Sequence, residues 1–470
     1  MAAENDLGND RVSRLVVRIA LPSMMGQFVS VFYSIIDRIY VGNIPEYGSL
    51  ALAGVGVSGP VVTMIGAVAF LIGVGGAPLM SIRLGEERPR EAEKILANGF
   101  LMLCVFAALI TLAVFPMREK MLRLFGASDA IYPYAEKYFT IILCGTIFSL
   151  LSSGLNQYII SQGFAKVGMK SVILGAVMNI ILDPVFIYAL GMGIRGAAIA
   201  TVISQAASAV YVLRFLLGRK ASVRLTFDRY DLRIMGQILE MGFTPFAIIA
   251  VDNVMIITMN AVLQQYGGNQ GDMLVTCNTI TQSFMLVLTM PMGGISGGTQ
   301  GILSFNFGAR KADRVLKAQR YIVVMCAGFA ALMFVLARAA GPLFVRLFTS
   351  DSEISALACE AIRICTLAVI PLGVQYAIVD GFTAMRQVQL ALPLSFWRKL
   401  TYFAAIFILP LLFDAKAVFY AEPISDVLGP VVSVIVYVLS IKKILDRRCG
   451  VGRKAGEVRK PAIEPDRFAD

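Results

Sequence analysis

The sequence predicts an all-α polytopic membrane protein of about twelve spanning helices arranged as two related halves. Three observations carry this. Of 470 residues, 57% are hydrophobic and only 16% charged, with a mean hydropathy of +0.73, whereas soluble domains run at about 45–50% apolar and about 25% charged. Apolar runs of about 20 residues, the length that crosses a bilayer, recur along the whole chain. A set of landmarks repeats at a constant offset of 223 residues, so one six-helix unit is used twice.

Taken in order, the apolar cores fall at 15–41, 53–80, 96–116, 134–157, 169–190, 196–217, 237–264, 274–303, 319–340, 356–382, 391–413 and 418–441. Met1 to Asp10 is polar and leads directly into a full-length span, which argues against a cleavable signal. Alternate connections are basic: Arg83, Arg88, Arg90 and Lys94; Lys166 and Lys170; the stretch from Arg214 to Arg233; and Arg310 to Arg320. The segment Lys442–Arg467 adds nine Lys or Arg, while Asn43–Ser49 and Gln265–Met273 have none. The positive-inside bias therefore places both termini in the cytoplasm. It also accounts for the net charge of +11 as topology rather than nucleic-acid binding. Arg118–Arg123 is the exception, a basic patch on the opposite side.

The repeat aligns Ser81 with Ser304, Gly85 with Gly308, Pro22 with Pro245, Lys94 with Lys317 and Ala135 with Ala358. Six helices per unit is an even number, so the halves run parallel and are related by an axis along the membrane normal. The expected division is an N-terminal half over 1–217, a basic linker over 218–235, a C-terminal half over 236–441 and a basic tail over 442–470. The glycine runs at 73–76 and 293–298 lack the Gly-Lys-Ser/Thr of a phosphate loop, so they read as sites of close helix contact. Proline at 22, 184, 245 and 393 is expected to interrupt helices, and Pro22 and Pro245 are the candidate bend points.

Charged side chains inside a bilayer are costly and mark function. Asp37 lies in the first span, Asn179 and Asp183 one turn apart in the fifth, and Thr201 in the sixth. Counted at about 1.5 Å per residue from the outer helix ends, Asp37, Asp183 and Thr201 lie roughly 9–14 Å deep and Asn179 about one turn deeper. The positions 223 residues after Asp37, Asn179 and Asp183 are Asn260, Tyr402 and Ile406, so fold symmetry does not require the acids. A bland alternative has each Asp pairing with a neighbour such as Arg38. Asp252, Asp380, Glu422 and Asp426 are further acids within apolar runs, and Asp252 with Asn260 is the candidate second-half pathway. The chain contains no His and seven scattered Cys without a CxxC pair, which leaves no imidazole base, zinc site or disulfide frame. An enzyme is therefore not expected, and no cofactor.

Several stretches resemble the multidrug and toxic compound extrusion family, in its MepA-like bacterial branch. They are Asp37-Arg38-Ile39-Tyr40-Val41-Gly42-Asn43, Ala51 to Gly56, Pro78 to Ser81 with Leu84-Gly85-Glu86, Asn179 to Asp183-Pro184, and Gly196-Ala197-Ala198 to Thr201. The resemblance implies two six-helix bundles around a central cleft, in a bacterial inner membrane. It implies export of small organic, mostly cationic compounds by antiport with Na⁺ or H⁺. The expected partners are those substrates and the lipid bilayer, with no nucleic acid, and a monomer is the expected working unit. It places a coupling-cation site, for Na⁺ if that is the ion, on Asp37, Asn179, Asp183 and Thr201. Gly301 departs from the family pattern, which often has Pro there. The alternative function is a flippase for a lipid-linked precursor, from the wider superfamily. A flippase needs several Arg or Lys in the cleft to grip pyrophosphate, and Arg38 is expected to be the only basic residue far from a helix end.

Overall fold

A computed structural model describes residues 5–125, 127–227, 230–349 and 351–449. Ten helices are long and apolar enough to span, and two bent helix pairs bring the total to twelve. The first half comprises α1 (Val12–Gly42), α2 (Gly48–Gly85), α3 (Pro89–Leu124), α4 (Tyr132–Cys144), α5 (Thr146–Ser161), α6 (Ala165–Pro184) and α7 (Ile194–Leu217). The second comprises α8 (Leu232–Gly267), α9 (Gly271–Gly298), α10 (Gln300–Gly308), α11 (Ala312–Ala339), α12 (Gly341–Val345), α13 (Ser352–Cys365), α14 (Val369–Ala384), α15 (Val388–Leu412) and α16 (Ala421–Cys449). No strand occurs among the described residues. Of the expected tail, 450–470 lies outside them, as do linker residues 228 and 229.

The repeat holds at the level of single hydrogen bonds. Ser81 Oγ donates to the Ser161 carbonyl at 2.9 Å, and Ser304 Oγ donates to the Ala384 carbonyl at 2.9 Å; both partners differ by 223. Left-handed backbone recurs at Glu87 and Arg310, and at Gly163 and Arg386, on the same offset. The fourth and tenth spans are both bent pairs, α4–α5 by 55° and α13–α14 by 50°. Apolar length alone read each of them as one straight span.

The two halves pack face to face through α1 on α9 and α2 on α8 and α10. Small residues make this approach possible. A Cβ on Gly85 would collide with the Phe305 carbonyl, and one on Gly308 with the Ile82 carbonyl. Because 305 is 82 plus 223, these two contacts are one contact seen from both halves, as a two-fold axis requires. Gly301 is accounted for in the same way: a Cβ there would lie 2.6 Å from the Ser161 carbonyl oxygen, so the larger ring of proline does not fit. All these contacts lie in the half of the molecule that carries the start of α1 and the end of α16. There the N-terminal segment spans both halves: Asn5 donates to the Gly163 carbonyl at 2.8 Å, while Asn306 Nδ2 at 2.9 Å donates to the Leu7 carbonyl and Lys311 Nζ at 2.9 Å to that of Gly8. Arg448 adds an ion pair to Glu86 across the same boundary.

Three expectations are corrected. Pro22, Pro245 and Pro393 do not interrupt their helices, which run unbroken through them; only Pro184 changes the backbone, passing into a π-helical turn over Val185–Ala189. A single proline removes one intrahelical bond, and the flanking bonds hold the helix. The basic patch Arg118–Arg123 is matched by acids: Arg118 pairs with Glu136 at 3.2 Å and Arg123 with Glu119 at 3.3 Å and Asp129 at 2.9 Å. Finally, Arg38 is not alone at depth. Arg398 and Lys399 sit well inside α15 with side chains only 12% and 7% exposed.

Candidate functional site

α1, α6 and α7 bring Asp37, Asn179, Asp183 and Thr201 together in the half of the bundle remote from the termini. The reason is antiparallel packing: Asp37 and Asp183 lie near the ends of α1 and α6, and Thr201 near the start of α7. The amide of Asn179 is the hub. Its Nδ2 donates to Asp183 Oδ1 at 3.1 Å and to Thr201 Oγ1 at 3.3 Å. Asp37 reaches over from α1, and its carboxyl group is within hydrogen-bonding reach of that of Asp183. Asp37, Asn179 and Asp183 are 8%, 1% and 0% exposed.

What remains unsatisfied is informative. Asp37 Oδ1, Asn179 Oδ1 and Asp183 Oδ2 are buried acceptors without a partner. Buried acceptors ordinarily have partners, because leaving one bare costs about 1–3 kcal/mol, more when charged. Two carboxylates also repel in a low dielectric unless a positive charge joins them. Hard oxygen donors facing one another suit an alkali cation or a proton. No group of three or more His, Cys, Asp or Glu that could hold a metal occurs among the described residues, so the set is a two-carboxylate site completed by an amide and a hydroxyl. Arg38 is exposed, and no ion pair joins it to Asp37 among the described residues.

Sequence reasoning missed the tyrosines around this site. Tyr33 and Tyr138 lie within electrostatic reach of Asp37 and Asp183, and Tyr188 Oη donates to the Tyr40 carbonyl at 2.7 Å, tying the π-turn to α1. Tyr33 was discoverable, since it precedes Asp37 by four residues and shares its helix face; Tyr138 sits on α4, which only packing brings near.

In the second half Asp252, Asn260, Asp380 and Asp426 each have a partner on another helix. Asp252 on α8 forms an ion pair with Lys399 on α15. Asn260 Oδ1 accepts from Asn278 Nδ2 of α9 at 2.8 Å. Asp380 is within hydrogen-bonding reach of Ser296 and Gln300. Arg398 Nη1 donates to Asp426 Oδ1 at 2.9 Å. The mid-span Arg398 and Lys399 are thus both engaged by acids on other helices.

Residues 22–185 and 249–408 match the model of the MatE family, once in each half. Over 439 residues the chain is 22% identical to the multidrug export protein MepA of Staphylococcus haemolyticus, covering 93% of this chain and 96% of that protein. It is equally 22% identical to MepA of Staphylococcus aureus over 444 residues, at 93% and 96% coverage. Among solved structures, an outward-facing multidrug resistance MATE family transporter superimposes with a TM-score of 0.87 at 22% identity, covering 93% of this chain and 97% of that one.

Proposed function

The chain belongs to the MatE family of multidrug efflux transporters, and from that premise we propose that it exports organic, mostly cationic compounds by antiport with Na⁺ or H⁺. The observation that carries the coupling role is the group of unpartnered buried acceptors on Asp37, Asn179 and Asp183. In this reading Asp37 and Asp183 supply the charge, Asn179 and Thr201 the neutral oxygens, and the entering ion neutralises the pair. The flippase reading is not favoured, because the relatives matched over nearly the whole chain are multidrug export proteins.

The working units are an N-terminal lobe over 1–217, a linker over 218–235, a C-terminal lobe over 236–441 and a tail over 442–470, acting as a monomer in a bacterial inner membrane with both termini cytoplasmic. The inter-lobe contacts described above lie toward the termini, and we read the cleft as opening toward the other side, which is the outside in this topology. Transport then requires the opposite closure. A ligand shifts such an equilibrium only by its differential affinity for the two states, so the entering cation and the drug must favour different ones. Helix α1 carries both Pro22 and Asp37, which makes Pro22 the joint through which occupancy of the cation site alters helix shape. An inward unit charge contributes about 2.3 kcal/mol at 100 mV.

The deciding experiment is efflux by purified protein in liposomes with Na⁺ and pH gradients imposed separately. Drug movement is expected with one gradient or both and none without either; movement independent of both would overturn antiport. Sidedness is tested in a chain stripped of native Cys. A Cys at Ser49 is expected to react with an impermeant thiol reagent from outside and one at Lys220 only from the cytoplasm.

A further inference from the structure

The second half holds a cluster of charge that the coupling mechanism leaves unused. Asp252 on α8, Arg398 and Lys399 on α15, and Glu422 and Asp426 on α16 lie within electrostatic reach of one another. Their counterparts 223 residues earlier are Val29, Gly175, Ala176, Ile199 and Ile203. The repeated backbone therefore forms without these charges, and something other than folding is served by them.

Two features show where a ligand enters. Asp252 is 43% exposed although it lies in the middle of a 36-residue spanning helix, while its partner Lys399 is 7% exposed. A carboxylate at that depth is costly against lipid, so we read its open side as facing the cleft of the proposed function. Behind it, Asp426 is fully buried and its Oδ2 has no partner. The Arg398 guanidinium engages only the other oxygen, Asp426 Oδ1, at 2.9 Å, so the cluster keeps one open acceptor.

We propose that Asp252 and Lys399 form a cleft-wall subsite for compounds that carry both a cationic and an anionic group, with Lys399 as the specificity-determining residue. This rests on the cleft being the drug path, as proposed above. The chemistry is an exchange of ion pairs: the ligand's cationic group takes Asp252 and its carboxylate takes Lys399, so no charge is left bare. A purely cationic ligand at Asp252 strands the Lys399 ammonium next to Arg398, and a purely anionic one strands Asp252. Stranding a buried charge is the expensive outcome, so the preformed pair discriminates by charge pattern. The first-half site, with two acids and no base, has no such preference for an anionic group.

The test uses rhodamine B, which bears a free carboxylate beside its cationic chromophore, and its ethyl ester, which is cationic only. Dissociation constants of both are measured by fluorescence polarisation on the full-length protein in nanodiscs. The ratio of ester to acid constants cancels differences in lipophilicity when compared between variants. Lys399→Met is expected to lower that ratio about tenfold or more, because the acid loses a charged hydrogen bond while the ester, with no ammonium left to strand, binds at least as tightly as to the parent. An unchanged ratio overturns the proposal. Should Lys399→Met fail to fold, the charge-neutral double variant Asp252→Asn/Lys399→Gln decides, and the same fall is required of it. If the parent binds neither dye, the drug-path reading falls as well; if it binds the ester and the ratio is insensitive to both variants, only the subsite falls.

Discussion

The two halves of the molecule share a backbone and differ in chemistry. The first carries two acids, an amide and a hydroxyl with acceptors left open and no base among them. The second carries three acids and two bases, paired across α8, α15 and α16. The repeat places Asp252 opposite Val29, eight residues before Asp37, so the two sites also differ in depth by about 12 Å at about 1.5 Å per residue. What is conserved between the halves is packing: the Ser81 and Ser304 hydrogen bonds and the reciprocal Gly85 and Gly308 contacts. Symmetry is thus spent on holding the halves together, and the polar interior of each is free to take a separate task.

The largest expected difference lies in the acids. Asp37→Asn or Asp183→Asn should each abolish gradient-driven efflux in liposomes, a fall of about 100-fold or more, because coupling requires a charge that the entering ion neutralises. Asn260→Ala, at the position corresponding to Asp37, should change the rate less than about threefold. Full transport by either acid variant breaks the comparison.

Next comes a test in which the halves must behave alike. Gly85→Leu and Gly308→Leu insert a side chain into the same contact from its two sides. Each should disfavour the packed terminus-side arrangement by about 1–3 kcal/mol, the usual cost of overpacking. Spin labels placed across that boundary should report a similar shift for both, and a shift confined to one variant would deny the two-fold relation.

A smaller asymmetry is expected at the prolines. Pro22→Ala should slow efflux several-fold more than Pro245→Ala, with drug affinity less affected than turnover, since only α1 carries an acid of the coupling site. Equal or reversed losses would remove α1 bending from the coupled step. The smallest effects belong to the serines: Ser81→Ala and Ser304→Ala should each cost about 0.6 kcal/mol, the average for a membrane-buried side-chain hydrogen bond. Melting of the purified variants should show matched small decreases.

Legibility followed physical range. The twelve spans were readable because the bilayer sets a length that a local run of apolar residues must meet. The Asp37–Asn179–Asp183–Thr201 group was readable because an acid in such a run is conspicuous, and helix counting gives its depth. The bends at Gly145 and near Thr366 were not, because apolar length is the same for a straight span and a broken one. Arg398 and Lys399 lay inside an apolar core of the sequence and were still passed over, since their meaning depends on acids 147 and 28 residues away in the chain. The basic patch at 118–123 looked like a violation of the charge rule until Glu136 and Asp129 came to face it.

By itself the sequence determined the class, the number of spans, the duplicated unit and the depth of the first-half site, because each depends on one helix at a time in a solvent of fixed thickness. Only the tertiary structure decided that Asn179 bridges Asp183 and Thr201, that Asp252 belongs to Lys399, and that the halves meet at Gly85 and Gly308. Those outcomes depend on which helix faces which, and that is set by close approach of small residues such as Gly85 and Gly308 rather than by hydropathy, which is the same on every side of a buried helix.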